Sequence, residues 1–284
     1  MSSRHKFSTK YTILIAFWLL FMGIAKADAQ QLENPFAQAR LWGGSNLTEL
    51  LEIIAAEPFA SESEFFDNVR RFVHENSVSS GDIEAVRYYY EQPDDMILRL
   101  LQSARGAGKG PDMECYTRTR AMMGLLYIMK IASRRVFVMT DAGEELRSHT
   151  FLEVFNKSTN KWEVQDPEFN LYYRYVDGRG RLSAKELAES DLSEFEPCQG
   201  NGKCGWVADG ATLRNYFGLV ILDRTPLRQS PLVFFRADRF DLAKRFKPSD
   251  HRHSIEGRLA TAEEVIMSQW TDYGPPEITI FEKE

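Results

Sequence analysis

The chain has 284 residues, of which 43% are hydrophobic and 27% are charged, and its formal net charge is −6. This composition is ordinary for a globular protein that buries a hydrophobic core. This negative net charge differs from the excess of basic residues that is typical of nucleic-acid-binding proteins. We therefore expect a globular protein without nucleic acid among its partners.

Residues 1–29 have the pattern of a targeting sequence. A basic start precedes the apolar run "YTILIAFWLLFMGIA", and small residues then allow cleavage after Ala27 or Ala29. The apolar run is short for a membrane-spanning helix, which needs about 20 residues. We expect a cleaved signal peptide, with an uncleaved membrane anchor as the alternative. In both cases the bulk of the protein is exported, to a periplasm or to the exterior.

Residues 30–110 are predicted to form a helical lead-in. In "SESEFFDNVRRFVHEN", Ser61 or Ser63 is expected to cap a helix whose phenylalanines and valines face inward. His74 is interpreted as a surface residue of that helix. The tyrosines at positions 88 to 90 either line a groove or pack as half-buried aromatic side chains.

The most informative stretch runs from Cys115 to Asp166. Cys115 follows the segment "GAGKGPD" and heads apolar residues at helical spacing, so it is expected within the first turn of a helix. The unpaired N–H groups and the dipole of a helix start favour the thiolate, which is the nucleophilic form of cysteine. The runs "RVFVMT", "HTFLEVF" and "WEVQDP" are typical of consecutive antiparallel strands. Such strands would bring His149 close to Asp166.

These residues form a candidate catalytic triad. Cys115 would be the nucleophile, His149 the base, and Asp166 the carboxylate that orients the imidazole. The backbone N–H of Cys115 would supply one oxyanion donor. Taken singly, each residue also has a structural interpretation: a small core cysteine, a structural histidine and a common strand-end turn. As a strand-end carboxylate, Asp166 is also expected to contribute little to the core, so that its replacement should leave the fold largely intact. Their order and spacing favour the triad.

The same motifs resemble those of the transglutaminase-like superfamily of cysteine enzymes. In that family a cysteine heads a helix that ends near "GIPARxV", a histidine follows in "HAWxEV", and an aspartate in "WxxxDP". The counterparts here are Cys115, "IASRRVFV", "HTFLEVF" and "WEVQDP". The sequence departs from the family at Tyr116 and at "IASRR", which replaces "GIPAR". The resemblance implies a papain-like α+β fold, with helices packed on a small antiparallel sheet and a catalytic core over residues 111–180.

The expected reaction is acyl transfer on the carbonyl of a protein or peptide substrate through a thioester at Cys115. Hydrolysis is favoured over cross-linking, because water is the abundant acceptor outside the cytoplasm. No metal or cofactor is expected. The alternative is a catalytically inactive module that binds peptide or glycan in the same cleft at the cell envelope.

Residues 181–284 are expected to form an extension that packs on the catalytic core. Cys198 and Cys204 flank a glycine-rich loop, and in an oxidising compartment they are expected to form a disulfide. A metal-binding pair is the alternative, although no matching pair of ligands follows. Basic residues between Arg236 and Arg258 are interpreted as a solvated face rather than a binding surface for an anionic polymer or lipid. The tail "PPEITIFEKE" allows for one further edge strand.

Overall fold

The protein is described here from a computed structural model. The described residues are 45–80, 93–140, 147–200, 202–206, 217, 219–223, 232–236, 254–255, 258–259 and 277–281. All of them belong to one compact unit, Pro35–Glu284. The predicted targeting sequence, the tyrosines at 88 to 90 and most of the basic cluster after Arg236 lie outside the described residues.

Helices and strands alternate irregularly along the described chain. The helices are α1 (Ser45–Ile54), α2 (Glu62–Glu75), α3 (Pro93–Ala104), α4 (Cys115–Ile128) and α5 (Ala184–Glu189). The strands are β1 (Val78–Ser79), β2 (Asp112–Met113), β3 (Ser133–Thr140), β4 (Arg147–Asn156), β5 (Lys161–Gln165), β6 (Leu171–Tyr175), β7 (Phe195–Gln199), β8 (Leu219–Asp223), β9 (Leu232–Arg236), β10 (Ser254–Ile255), β11 (Arg258–Leu259) and β12 (Glu277–Phe281). The mixture of helices with mainly antiparallel sheets confirms the general α+β prediction. None of the described helices combines the length and the apolar character needed to cross a membrane.

The main sheet has six strands in the order β12–β9–β8–β3–β4–β5. Its neighbouring strands are antiparallel, except that β12 runs parallel to β9 at one edge. The predicted three-strand meander is therefore β3, β4 and β5. Three strands from the C-terminal part of the chain, β8, β9 and β12, complete the same sheet. This part of the chain thus contributes directly to the sheet that carries the candidate site.

Hydrophobic side chains pack in two clusters. The first contains side chains from the four helices α1, α2, α3 and α4, together with Leu152 and Val154 of β4. The second joins α5 and the β6–β7 hairpin with Phe151 of β4 and Val136 and Val138 of β3. Successive side chains of a strand point to opposite faces of a sheet. The alternation along β4 therefore places the four longer helices on one face and α5 with its hairpin on the other.

The helix starts follow from local capping. Ser61 caps α2, as predicted, because its hydroxyl accepts a hydrogen bond from the N–H of Glu64 at 3.2 Å. Ser183 caps α5 in the same way and exchanges hydrogen bonds with Glu186 in a capping box. At the start of α4, the hydroxyl of Thr117 accepts a hydrogen bond from the N–H of Glu114 at 2.9 Å. This contact fixes the turn from which Cys115 projects.

Helix α4 offers a matched pair of substitutions that tests the assigned core. Leu126 is fully buried, whereas the next residue, Tyr127, is 46% exposed. Leu126→Ala should lower the free energy of unfolding by about 2–5 kcal/mol, because it removes buried methyl groups and leaves a cavity. Tyr127→Ala should change it by no more than about 0.5 kcal/mol. Chemical denaturation measures both values, and similar values for the two variants would contradict the assigned helix face.

Candidate active site

Cys115 is the first residue of α4, as the sequence predicts. It is partly exposed and is not in a disulfide. The first N–H groups of a helix have no partner within the helix. The thiol is therefore available to an entering molecule, beside donors that can bind an anion.

His149 and Asp166 meet in the protein interior. His149 lies on β4 and is 5% exposed, while Asp166 follows β5 and is completely buried. The distance between His149 Nε2 and Asp166 Oδ2 is 2.7 Å. Because Leu152 pairs with Gln165 in the β4–β5 ladder, Asp166 reaches His149 along the diagonal of the sheet. The predicted proximity of these two residues is confirmed.

Asp166 also holds together the turn that follows it. Its Oδ1 accepts hydrogen bonds from the N–H of Glu168 at 3.0 Å and of Phe169 at 3.3 Å. Its backbone exchanges two hydrogen bonds with Leu171. The expectation that this carboxylate contributes little to the core is therefore wrong, because the side chain is buried and both of its oxygens have partners.

His149 lies between Asp166 and Cys115. Asp166 contacts Nε2 of the imidazole, which leaves Nδ1 as the other ring nitrogen, and the nearby side chain of Cys115 also raises the pKa of the ring. Burial by itself lowers the pKa of His149, because it penalises the charged imidazolium. The charge of Asp166, its hydrogen bond and the contact with Cys115 outweigh burial and raise the pKa of His149 to about 10. His149 is therefore protonated at neutral pH.

Aromatic side chains surround the imidazole and the helix start. The ring of Phe169 lies 5.0 Å from that of His149, and this phenylalanine is 41% exposed. Tyr116, where the sequence departs from the family pattern, stacks on Phe137 of β3 at 6.5 Å. The Arg135 guanidinium lies 4.8 Å from the same tyrosine ring. Tyr116 therefore attaches the start of α4 to the sheet.

Helix α4 is tied to the strand that carries His149 and to the turn after Asp166. The hydroxyl of Thr119 donates to the Thr150 carbonyl at 3.1 Å, next to His149. Arg118, which is 2% exposed, donates to the backbone carbonyl of Glu168 at 3.0 Å and pairs with its carboxylate at 3.1 Å. Arg118 also donates to the hydroxyl of Ser77 at 2.9 Å. These bonds tie the start of α4 to the elements that carry His149 and Asp166.

Helix α2 holds the other side of the same turn. The buried Arg70 donates to Gln165, just before Asp166, and to Asn170 at 3.0 Å. His74 Nδ1 lies 3.1 Å from the carbonyl oxygen of Pro167. The interpretation of His74 as a surface residue is wrong, since it is partly buried against this turn.

The sequence gives no direct signal for these supporting contacts. Arg118 and Glu168 are 50 residues apart, and Arg70 and Gln165 are 95 apart. Arg118 falls at helical spacing from Ala121 and Met122, on the apolar face of the predicted helix, which is a clue to such a contact, because arginine is seldom fully buried without a partner. Glu114 and Phe169, which also contact the candidate triad, could have been proposed from their position next to Cys115 and Asp166 in the chain.

Cys198 and Cys204 form the predicted disulfide. Glu196 lies close to both sulfurs, but the cysteines are bonded to each other and are not available as thiolate ligands. The disulfide closes the short loop that leaves β7. Disulfides persist in oxidising compartments, so this bond is consistent with an exported protein.

Comparison with known proteins does not assign the chain to a family. No protein-family model matches the chain, and no curated protein matches it. A functional assignment therefore depends on the site itself and on the resemblance of its motifs.

The charge of His149 gives the stability of the protein a defined pH dependence. The pKa of His149 is raised from 6.5 to about 10 on folding. Its stabilising contribution is therefore complete below about pH 6.5 and is lost as the pH rises towards 10. The free energy of unfolding of the wild type, minus that of His149→Gln, should fall by about 1 kcal/mol or more over this range.

Denaturant titrations of both proteins at pH 6, 8 and 10 measure this difference, and subtraction cancels the groups that the two proteins share. A difference that is constant or grows with pH would show that His149 is not a buried cation.

Proposed function

We propose that the protein is an exported cysteine enzyme with a transglutaminase-like, papain-like catalytic core that acts on amide or peptide carbonyls. The observation that carries the proposal is the position of His149. One ring nitrogen is held by a buried carboxylate, and the imidazole also contacts a partly exposed thiol at a helix start. A nucleophile, a base and a group that orients the base are the elements of covalent acyl transfer.

In the first half-reaction, the thiolate of Cys115, beside the protonated His149, attacks the carbonyl carbon and the carbonyl π electrons move to oxygen. The backbone N–H of Cys115 donates a hydrogen bond to this oxyanion. As the tetrahedral intermediate collapses, the C–N bond breaks and His149 gives its Nδ1 proton to the departing amine. The products are a thioester on Cys115 and a free amine.

In the second half-reaction, His149 takes a proton from the nucleophile that attacks the thioester, and the C–S bond then breaks. With water this step yields a carboxylic acid, and with an amine it yields a new amide. We favour water, because the thiol is partly exposed and water is the abundant acceptor outside the cytoplasm. Asp166 keeps Nδ1 directed at the reacting atoms and balances the imidazolium charge.

Export is supported by two features of the chain. The disulfide between Cys198 and Cys204 is typical of an oxidising compartment. The first 29 residues have the pattern of a signal peptide, or of an anchor if they are not cleaved. The proposed substrate is therefore a protein or peptide of the periplasm or the cell exterior.

Alkylation of Cys115 tests the proposed roles without a known substrate. Iodoacetamide should label it rapidly at pH 7, and His149→Gln should slow labelling by roughly tenfold or more, since an ordinary thiol is only a few per cent thiolate at that pH. Asp166→Asn should slow it less than His149→Gln does. This variant retains one oxygen acceptor for the turn, but it places an amide N–H2 group against His149 Nε2 and removes the charge that supports the imidazolium.

Mass spectrometry of non-reduced peptides identifies the labelled residue, and thermal melting shows that each variant is folded. Leu126→Val, a conservative change within α4, serves as a control for general loosening of the helix. Ordinary thiol kinetics that do not depend on His149 would instead indicate a binding module without catalysis.

A further inference from the structure

The carboxylate of Glu114 lies against the thiol of Cys115. Its Oε2 is 3.3 Å from Cys115 Sγ, so the thiol can donate a hydrogen bond to it. Both side chains are partly exposed, and an entering molecule can therefore meet both. Thr117 fixes the backbone of Glu114 in two ways, accepting from its N–H at 2.9 Å and donating to its carbonyl oxygen at 3.1 Å.

In the described part of the chain, the ion pairs near the thiol involve charged groups other than Glu114. The imidazolium of His149 is matched by Asp166, and Arg118 is matched by Glu168. Within the described ranges, none of the ion pairs includes Glu114. The carboxylate of Glu114 therefore places a negative charge directly beside the thiol of Cys115.

We propose that Glu114 makes the site select substrates that bring a positive charge next to the scissile carbonyl. The inference rests on the proposed acyl transfer and narrows its substrate class to peptides or amides with a lysine, arginine or protonated amine at that position. When Cys115 is the thiolate, Glu114 faces a second anion and no longer accepts a hydrogen bond from the thiol. A cation on the substrate offers it a partner, whereas an anionic group there is repelled.

Methanethiosulfonates of different charge test this selection. Each reagent transfers its thioalkyl group to a thiolate and releases methanesulfinate. It therefore reports on Cys115, since the other two cysteines of the chain are bonded to each other. The reagents are the 2-(trimethylammonium)ethyl cation, the 2-sulfonatoethyl anion and the neutral methyl compound. The wild type should react faster with the cation than with the anion.

Glu114→Gln should lower the ratio of the cation rate to the anion rate by about fivefold or more, the factor for unit charges about 4 Å apart even in bulk water. Glu114→Asp, which keeps the charge, should retain most of the ratio. Glu189→Gln, at the end of α5, changes the net charge equally and should leave the ratio unaltered. Raising the salt concentration should shrink the wild-type ratio without any substitution.

An unchanged ratio in Glu114→Gln, or a wild-type ratio that salt does not affect, overturns the proposal. So does an equal slowing of all three reagents, because Glu114 would then act on the thiol and not on the charge of the incoming molecule. The neutral reagent distinguishes a failure of the charge-selection proposal from a failure of the proposed acyl transfer. If its rate does not depend on His149, the acyl-transfer proposal fails, whatever the charge ratio shows.

Discussion

The site depends on the buried pair formed by His149 and Asp166. A protonated imidazole that is 5% exposed requires a nearby negative charge, because burial disfavours its charged form. Asp166 supplies that charge at 2.7 Å and is itself stabilised by two N–H groups of the following turn. Removing one partner of such a pair leaves an uncompensated buried charge, which typically costs about 3–5 kcal/mol.

The surrounding structure is arranged to keep this pair and the thiol in register. The turn after Asp166 is held by Arg118 of α4 and by Arg70 and His74 of α2. The strand that carries His149 is bonded to α4 through Thr119. The helix that begins at Cys115 and the turn that follows Asp166 are therefore linked by direct hydrogen bonds. This linkage suits preorganisation, in which catalytic groups are fixed before the substrate arrives.

The sequence predicted the local features of the site. The break before Cys115 and the apolar spacing after it gave the helix start, and the meander followed from β-branched and aromatic runs. Hairpin geometry then brought His149 and Asp166 together. Each of these features is determined by residues that are close together in the sequence, so the local pattern of residue types is sufficient to predict it.

The sequence did not predict the long-range polar contacts or the order of the strands. The pairing of β8 with β3 joins segments that are far apart in the chain. The residue pattern of a strand does not show which other strand lies beside it in the sheet. His74 was misassigned because helical spacing does not show which polar residue meets another part of the fold. The burial of Asp166 was missed because an Asp-Pro pair reads as a surface turn.

We infer that His149 is a buried cation, and that both Asp166 and the thiol of Cys115 stabilise its charge. Nitrogen NMR of the imidazole tests it most directly, with the His149 signal assigned by comparison with His149→Gln. We expect both ring nitrogens to carry protons at pH 7 to 8, and Cys115→Ala to lower the pH at which His149 loses its charge. A neutral His149 that titrates near its ordinary value of about 6.5, with or without the thiol, would contradict it.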